Sequence, residues 1–134
     1  INGFIGNTQI QYWDEIVEKR IENFQSYTTA MAKNDDFYQY DLSHMEKISN
    51  FSMPIICKTP ELALKYRSKF EAASVEIRPV IAGNMTRQPF YKKYVQHTTA
   101  NPNSDLVHSN GFYIGNNPEL TSDEIDELCS LLQK

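Results

Sequence analysis

Trp13, Ile16, Val17, Ile21, Phe24, Tyr27, Thr28 and Met31 recur at spacings of three and four, with Glu15, Glu18, Lys19 and Glu22 between them. That period lays the apolar residues along one face of an α-helix and predicts one long amphipathic helix over residues 12 to about 32. Such a helix spans roughly 30 Å at 1.5 Å per residue, so everything else in a chain of 134 residues has to be arranged along it. Its rings, Trp13, Phe24 and Tyr27, leave two destinations open: the chain's own core, or a surface outside it.

The remaining pattern is shorter. Phe37 to Leu42 reads as a brief strand, and Phe51 to Lys58 as a better one, with Met53, Ile55 and Cys57 alternating against Ser52 and Lys58. Thr59 as an N-cap and Pro60 in the first turn predict a helix from Pro60 to about Ala72 that buries Leu62, Tyr66 and Phe70, joined by Leu64 or Ala63. Val75 to Ile81 reads as the next strand, with Pro79 confining it to an edge or ending its pairing. Ala82 to Asn103 has no sustained period and reads mostly as loop, a length that is usually functional. Asp105 to Asn110 fits a turn or short helix, and Phe112 to Ile114 a short extended piece. Thr121 and Glu124 form a capping box, flanked by Leu120 and Ile125, for a last helix that buries Ile125, Leu128, Leu131 and Leu132. This order predicts an α/β (α+β-like) fold, a small antiparallel or mixed sheet packed against helices. Residues 1–134 are expected to form one domain.

Composition removes several classes of function. Thirteen basic residues against seventeen acidic ones give a formal charge of -4, which argues against broad nucleic-acid binding, because that needs an extended basic surface. No apolar run approaches the roughly 18 residues required to span a bilayer, and no charged start leads into an apolar signal segment, so no membrane insertion is expected. Two cysteines, Cys57 and Cys129, argue for a reduced, cytoplasmic setting over a disulfide framework. With a start at Ile1 instead of Met, a processing or cloning boundary, and so a piece of a longer protein, is the expectation. The helical pattern that closes at Lys134 reads as a natural stop.

Within this acidic chain, Ile77 to Gln96 holds Arg78, Arg87, Lys92 and Lys93 and no acidic residue. Inside it lies Gly83-Asn84-Met85-Thr86-Arg87-Gln88-Pro89. A guanidinium fork at Arg87, with neutral donors from Asn84 and Thr86, suits a phosphate or carboxylate. The same residues also suit a solvated arginine or an internal ion pair. Arg78 either braces the loop through a buried pair or reaches the same anion. Lys92 and Lys93 read as solvated.

His44, His97 and His108 have no partners at ligand spacing, so no metal site is expected. His97 and His108 bracket the irregular segment and read as ordinary polar histidines or as a substrate contact or proton carrier. Neither a nucleophile–His–carboxylate arrangement nor a dinucleotide or phosphate loop can be placed, and no catalytic residue is assigned.

Val75 to Phe90, through Arg78-Pro79-Val80-Ile81-Ala82-Gly83-Asn84-Met85-Thr86-Arg87-Gln88-Pro89, followed by Asn110-Gly111-Phe112-Tyr113-Ile114-Gly115-Asn116-Asn117-Pro118, resembles the C-terminal part of the DegT/DnrJ/EryC1/StrS family of pyridoxal-phosphate-dependent sugar aminotransferases. The loop is similar to that of members acting on nucleotide-linked keto-deoxy sugars, including the 3-dehydratase branch used in lipopolysaccharide O-antigen assembly. Glu15 to Arg20, with Asn23 and Tyr27, resembles the long helix by which such proteins enter their small domain. The similarity runs from Trp13 to Leu132, and Ile1 to Ile10 departs from it.

The resemblance implies a fold-type I enzyme whose large domain carries pyridoxal phosphate and whose small C-terminal domain closes over the active site. Residues 1–134 would then be that small domain, with 12–32 as its linking helix and the large domain absent. It also implies a homodimer when intact, no cofactor on this segment alone, and a segment that is catalytically incomplete. Arg78, Asn84, Thr86 and Arg87 would sit on a loop facing the nucleotide-linked sugar. An alternative is a non-catalytic interaction or regulatory module derived from the same scaffold.

Overall fold

The computed structural model describes residues 1–81, 83–96 and 99–134. The expectation for His97 lies outside them. The described residues fall into two compact units.

The first unit takes Ile1–Asn34, Gln39–Met53 and Asn116–Gln133. Its framework is α2 (Trp13–Ala32), 20 residues long, with Asp14 and Glu15 in the first turn, where carboxylates favour a helix start. Phe24, Tyr27, Ala30 and Met31 are buried from it. Trp13 is 67% exposed, so of the three rings only Phe24 and Tyr27 enter the core. Ahead of α2 lie α1 (Asn2–Gln9) and a 3-10 turn at Ile10–Tyr12, neither of which buries a residue.

α6 (Ser122–Leu131) packs on α2. Its capping box is complete: Thr121 Oγ1 accepts from the Glu124 N–H at 3.3 Å, and the Thr121 N–H donates to Glu124 Oε2 at 2.8 Å. Ile125, Leu128 and Leu132 are buried as expected, and Leu131 is half-buried. Two buried amides tie this unit together. Asn34 Nδ2 donates to the Leu132 carbonyl at 2.7 Å, satisfying an acceptor past the end of α6. Asn116 Nδ2 donates to the carbonyls of Arg20 and Asn50, both at 3.0 Å, while its Oδ1 accepts from Asn23 Nδ2 at 3.1 Å.

The second unit takes Asp35–Tyr38, Pro54–Gly115 and Lys134. Its sheet is small, three-stranded and antiparallel, in the order β1 (Ser52–Ile56), β3 (Gly111–Gly115), β2 (Ile77–Pro79). β2 pairs with β3 through Ile77–Ile114, Arg78–Tyr113 and Pro79–Phe112. The edge position expected from Pro79 is observed, and pairing stops there because proline has no N–H to give the ladder.

α3 (Pro60–Ala72) lies against β2 and β3. Thr59 Oγ1 accepts from the Leu62 N–H at 3.3 Å, as its cap position requires. Ala63, Tyr66 and Phe70 are buried, whereas Leu64 is exposed, so Ala63 completes the face. Phe37 and Tyr66 sit with ring centroids 4.6 Å apart, and Phe70 meets Phe112 edge-on at 5.8 Å. The helix stops in a Schellman arrangement: the N–H groups of Ser74 and Val75 donate to the carbonyls of Glu71 and Phe70, with Ser74 at φ 59°.

Three expectations are corrected. Phe37 to Leu42 is not a strand; only an isolated bridge links Phe37 to Cys57. The Tyr38 N–H still reaches the Ile56 carbonyl, but beyond it the Gln39 side chain turns to the carbonyls of Met31 and Asn34, and the pairing ends. The strand expected over Val75 to Ile81 is reduced to three residues. The stretch read as loop from Ala82 to Asn103 contains a 3-10 turn at Met85–Arg87 and α4 (Pro89–Tyr94), and α5 (Pro102–Asn110) begins within it. These pieces are too short to show a period. Their starts are fixed by Pro89 and Pro102, whose missing N–H costs nothing at a first helical position.

Candidate functional site

The Gly83–Pro89 loop lies wholly within the second unit, between β2 and α4, and it is held by α5. Gly83 adopts φ 52°, and a Cβ there would fall on Nδ1 of His108. Glycine is therefore required both by the backbone conformation and by the close approach of the ring.

Asn84 is 2% exposed and is the centre of the loop. Its Oδ1 accepts from the N–H and the Oγ1–H of Thr86, at 2.9 and 2.8 Å, closing the 3-10 turn. Its Nδ2 donates to Asp105 Oδ1 at 2.7 Å, and its backbone N–H donates to His108 Nδ1 at 3.2 Å. One buried amide thus fixes the turn on one side and α5 on the other.

Arg87 closes the group. Its Nε lies 2.6 Å from Asp105 Oδ1, while its side chain remains 46% exposed. The Asp105 carboxyl is held below its usual range first by the Asn84 hydrogen bond and then by the Arg87 charge. A guanidinium gripped at Nε still has its two terminal nitrogens for a second, planar acceptor, the geometry that suits phosphate or carboxylate.

Of the four residues read as a substrate-binding set, Asn84, Thr86 and Arg87 are brought together. Arg78 stands apart. Its Nη2 pairs with Glu76 Oε1 at 2.6 Å, and both side chains are exposed. The buried brace considered for it does not form. Lys92 and Lys93 are exposed on α4.

Sequence reasoning missed Asp105 altogether and gave His108 no partner. A usable sign was present: the two are three residues apart, which puts them on one side of a helix, and Asn84 two residues before Thr86 is a turn-forming pair. Among the described residues no group of three or more His, Cys, Asp and Glu side chains could hold a metal ion, and no helix is long and apolar enough to cross a membrane.

A fold of this kind has known counterparts. Residues 1–133 match the DegT/DnrJ/EryC1/StrS aminotransferase family, and the chain belongs to that family. The match includes the Ile1–Ile10 stretch that departs from the resemblance noted in the sequence. The chain is 26% identical over 133 residues to the lipopolysaccharide biosynthesis protein RfbH of Salmonella typhimurium, covering 96% of this chain and 30% of the relative. It is 25% identical over 138 residues to GDP-4-keto-6-deoxy-D-mannose 3-dehydratase of Escherichia coli O55:H7, covering 99% of this chain and 35% of the relative. The chain therefore spans about a third of the length of the curated relatives it matches.

Solved structures agree on the fold. The E. coli GDP-4-keto-6-deoxy-D-mannose-3-dehydratase with bound hydrated PLP superposes with a TM-score of 0.81 at 22% identity, over 96% of this chain and 34% of that one. The sugar aminotransferase CalS13 from Micromonospora echinospora gives 0.78 at 16% identity, over 96% and 33%.

Proposed function

We propose that this chain is the C-terminal small domain of a pyridoxal-phosphate-dependent enzyme acting on a nucleotide-linked keto-deoxy sugar in lipopolysaccharide O-antigen assembly, by amino transfer or dehydration. The family membership and the names of the curated relatives support the class. The observation that carries a role for this segment is the half-exposed Arg87 fork, oriented by Asp105 and backed by the buried Asn84.

Under this reading the loop binds the diphosphate side of the substrate, and Thr86 and Asn84 keep Arg87 in place. Arg78 reaches the same anion only by giving up Glu76. The large domain of the intact homodimer would carry the cofactor, which would supply an electron sink. The donors present here do not fit that group: no lysine of the chain is buried, whereas an aldehyde-holding amine needs a desolvated pocket. This segment alone is inactive.

Titration of the chain with a GDP-linked hexose tests the assignment. Arg87→Ala should weaken binding by about 1 to 3 kcal/mol, and equal affinity for the two proteins overturns it. A second reading, a non-catalytic interaction module, is favoured by the exposed apolar residues Phe4, Ile10 and Trp13 at the start of the first unit. Binding of a partner protein through that face, with no response to the GDP-linked hexose, supports this second reading.

A further inference from the structure

His108 is the one member of the Arg87 group whose part in it the proposed function leaves unused. It lies on α5, one helical turn after Asp105. Its Nδ1 accepts the Asn84 N–H at 3.2 Å, and the ring is seated where a side chain on residue 83 would be. Accepting at Nδ1 requires the neutral imidazole with its proton on Nε2, since a protonated ring has donors at both nitrogens.

We propose that His108 is a positioning residue for the Arg87 loop, acting through the Asn84 backbone, and that the loop holds its anion-binding shape only while His108 is neutral. This deepens the reading of Arg87 as an anion contact and rests on it. Protonation sets an N–H of the ring against the Asn84 N–H and removes that hydrogen bond. The charged ring is then drawn to Asp105, the carboxylate that otherwise holds both Asn84 Nδ2 and Arg87 Nε. Arg87 and the Asn84 amide thus face a cationic rival for one carboxylate, and the loop loosens from two sides at once.

The other charged groups around α5 are few. α3 contributes Arg67, whose Nη2 donates to the Gly111 carbonyl at 2.8 Å. Arg87 and Asp105, paired with each other, are the remaining charges of the group. β3, with the sequence GFYIG, contributes only Tyr113 as a titratable side chain.

The test follows the Asn84 and Thr86 amide resonances and the His108 ring resonances of this chain between about pH 5 and pH 8. Binding of inorganic pyrophosphate is measured beside it for three proteins: the unaltered chain, His108→Leu and His108→Asn. Asn presents an acceptor near the Nδ1 position and does not titrate.

The expected result is that the Asn84 amide moves with the same midpoint as the His108 ring. At the upper end of that range, His108→Leu should bind pyrophosphate roughly tenfold more weakly and His108→Asn within about twofold of the unaltered chain. As pH falls, the unaltered chain should lose affinity relative to His108→Asn. An Asn84 amide that ignores the His108 titration overturns the proposal, as does His108→Asn behaving like His108→Leu. If the amide tracks the ring and pyrophosphate binds none of the three proteins, the clamp stands and the anion reading of Arg87 falls.

Discussion

Arg87 Nε and Asp105 Oδ1 stand 2.6 Å apart in an ion pair that leaves the arginine side chain 46% exposed. An arginine paired in this way is aimed without being neutralised at its outer edge. Removing the acid should therefore harm anion binding, although simple charge counting says that losing a carboxylate beside an arginine should help. Asp105→Ala is expected to weaken pyrophosphate binding roughly fivefold, the effect of leaving one long side chain to be ordered by the ligand. Isothermal titration of the two proteins decides it, and tighter binding by Asp105→Ala would mean that the pair only competes with the ligand.

The Asn84 side chain and backbone N–H serve four hydrogen bonds from a position that is 2% exposed. Asn84→Ala keeps the backbone bond to His108 and strands the Thr86 donors. Urea denaturation should show a loss of about 2 kcal/mol. A loss near zero would mean that water replaces the amide and that the loop is not locked by it.

Ser74 occupies the left-handed position of the α3 terminator at φ 59°, where a side chain is disfavoured and glycine is not. Ser74→Gly should stabilise the protein by about 1 kcal/mol, read as a higher urea midpoint at unchanged m. A lower midpoint would show that the entropy glycine adds to the unfolded chain outweighs the relief.

Burial pushes the Cys57 thiol from its ordinary 9.0 up to about 11. The folded state holds that proton more tightly than the unfolded chain does. Its contribution to stability is therefore complete below pH 9.0 and is lost as pH rises towards about 11. Buried Tyr27, also raised by burial, acts in the same direction at still higher pH, so the comparison must isolate the thiol. Urea midpoints of the unaltered protein and Cys57→Val should diverge across that window, the unaltered protein falling faster. Parallel curves would place the alkaline loss elsewhere.

The long helix, the α3 cap and the capping box were legible because each is a local code: a 3.6-residue period, a hydroxyl before a proline, a threonine three residues before a glutamate. The alternation of Met53, Ile55 and Cys57 gave β1 for the same reason. What stayed hidden depends on partners far along the chain. The Phe37 segment has strand-like composition, yet it forms only an isolated bridge to Cys57, and the Gln39 side chain beyond it bonds to the carbonyls of Met31 and Asn34. Arg87 was legible as an anion-seeking group, but no spacing rule connects it to Asp105. The meeting of Asn84 with Asp105 and His108 needs α5 folded back across the loop, and a helix that short leaves no period to announce itself.

Trp13 is the chain's single tryptophan and is 67% exposed at the head of α2. Its indole is already bathed in solvent before any denaturant is added, so its fluorescence is a poor gauge of unfolding. For the same reason it is a sensitive optical reporter of contact: any surface that comes to lie over the start of α2 will dry the ring and shift its emission to the blue.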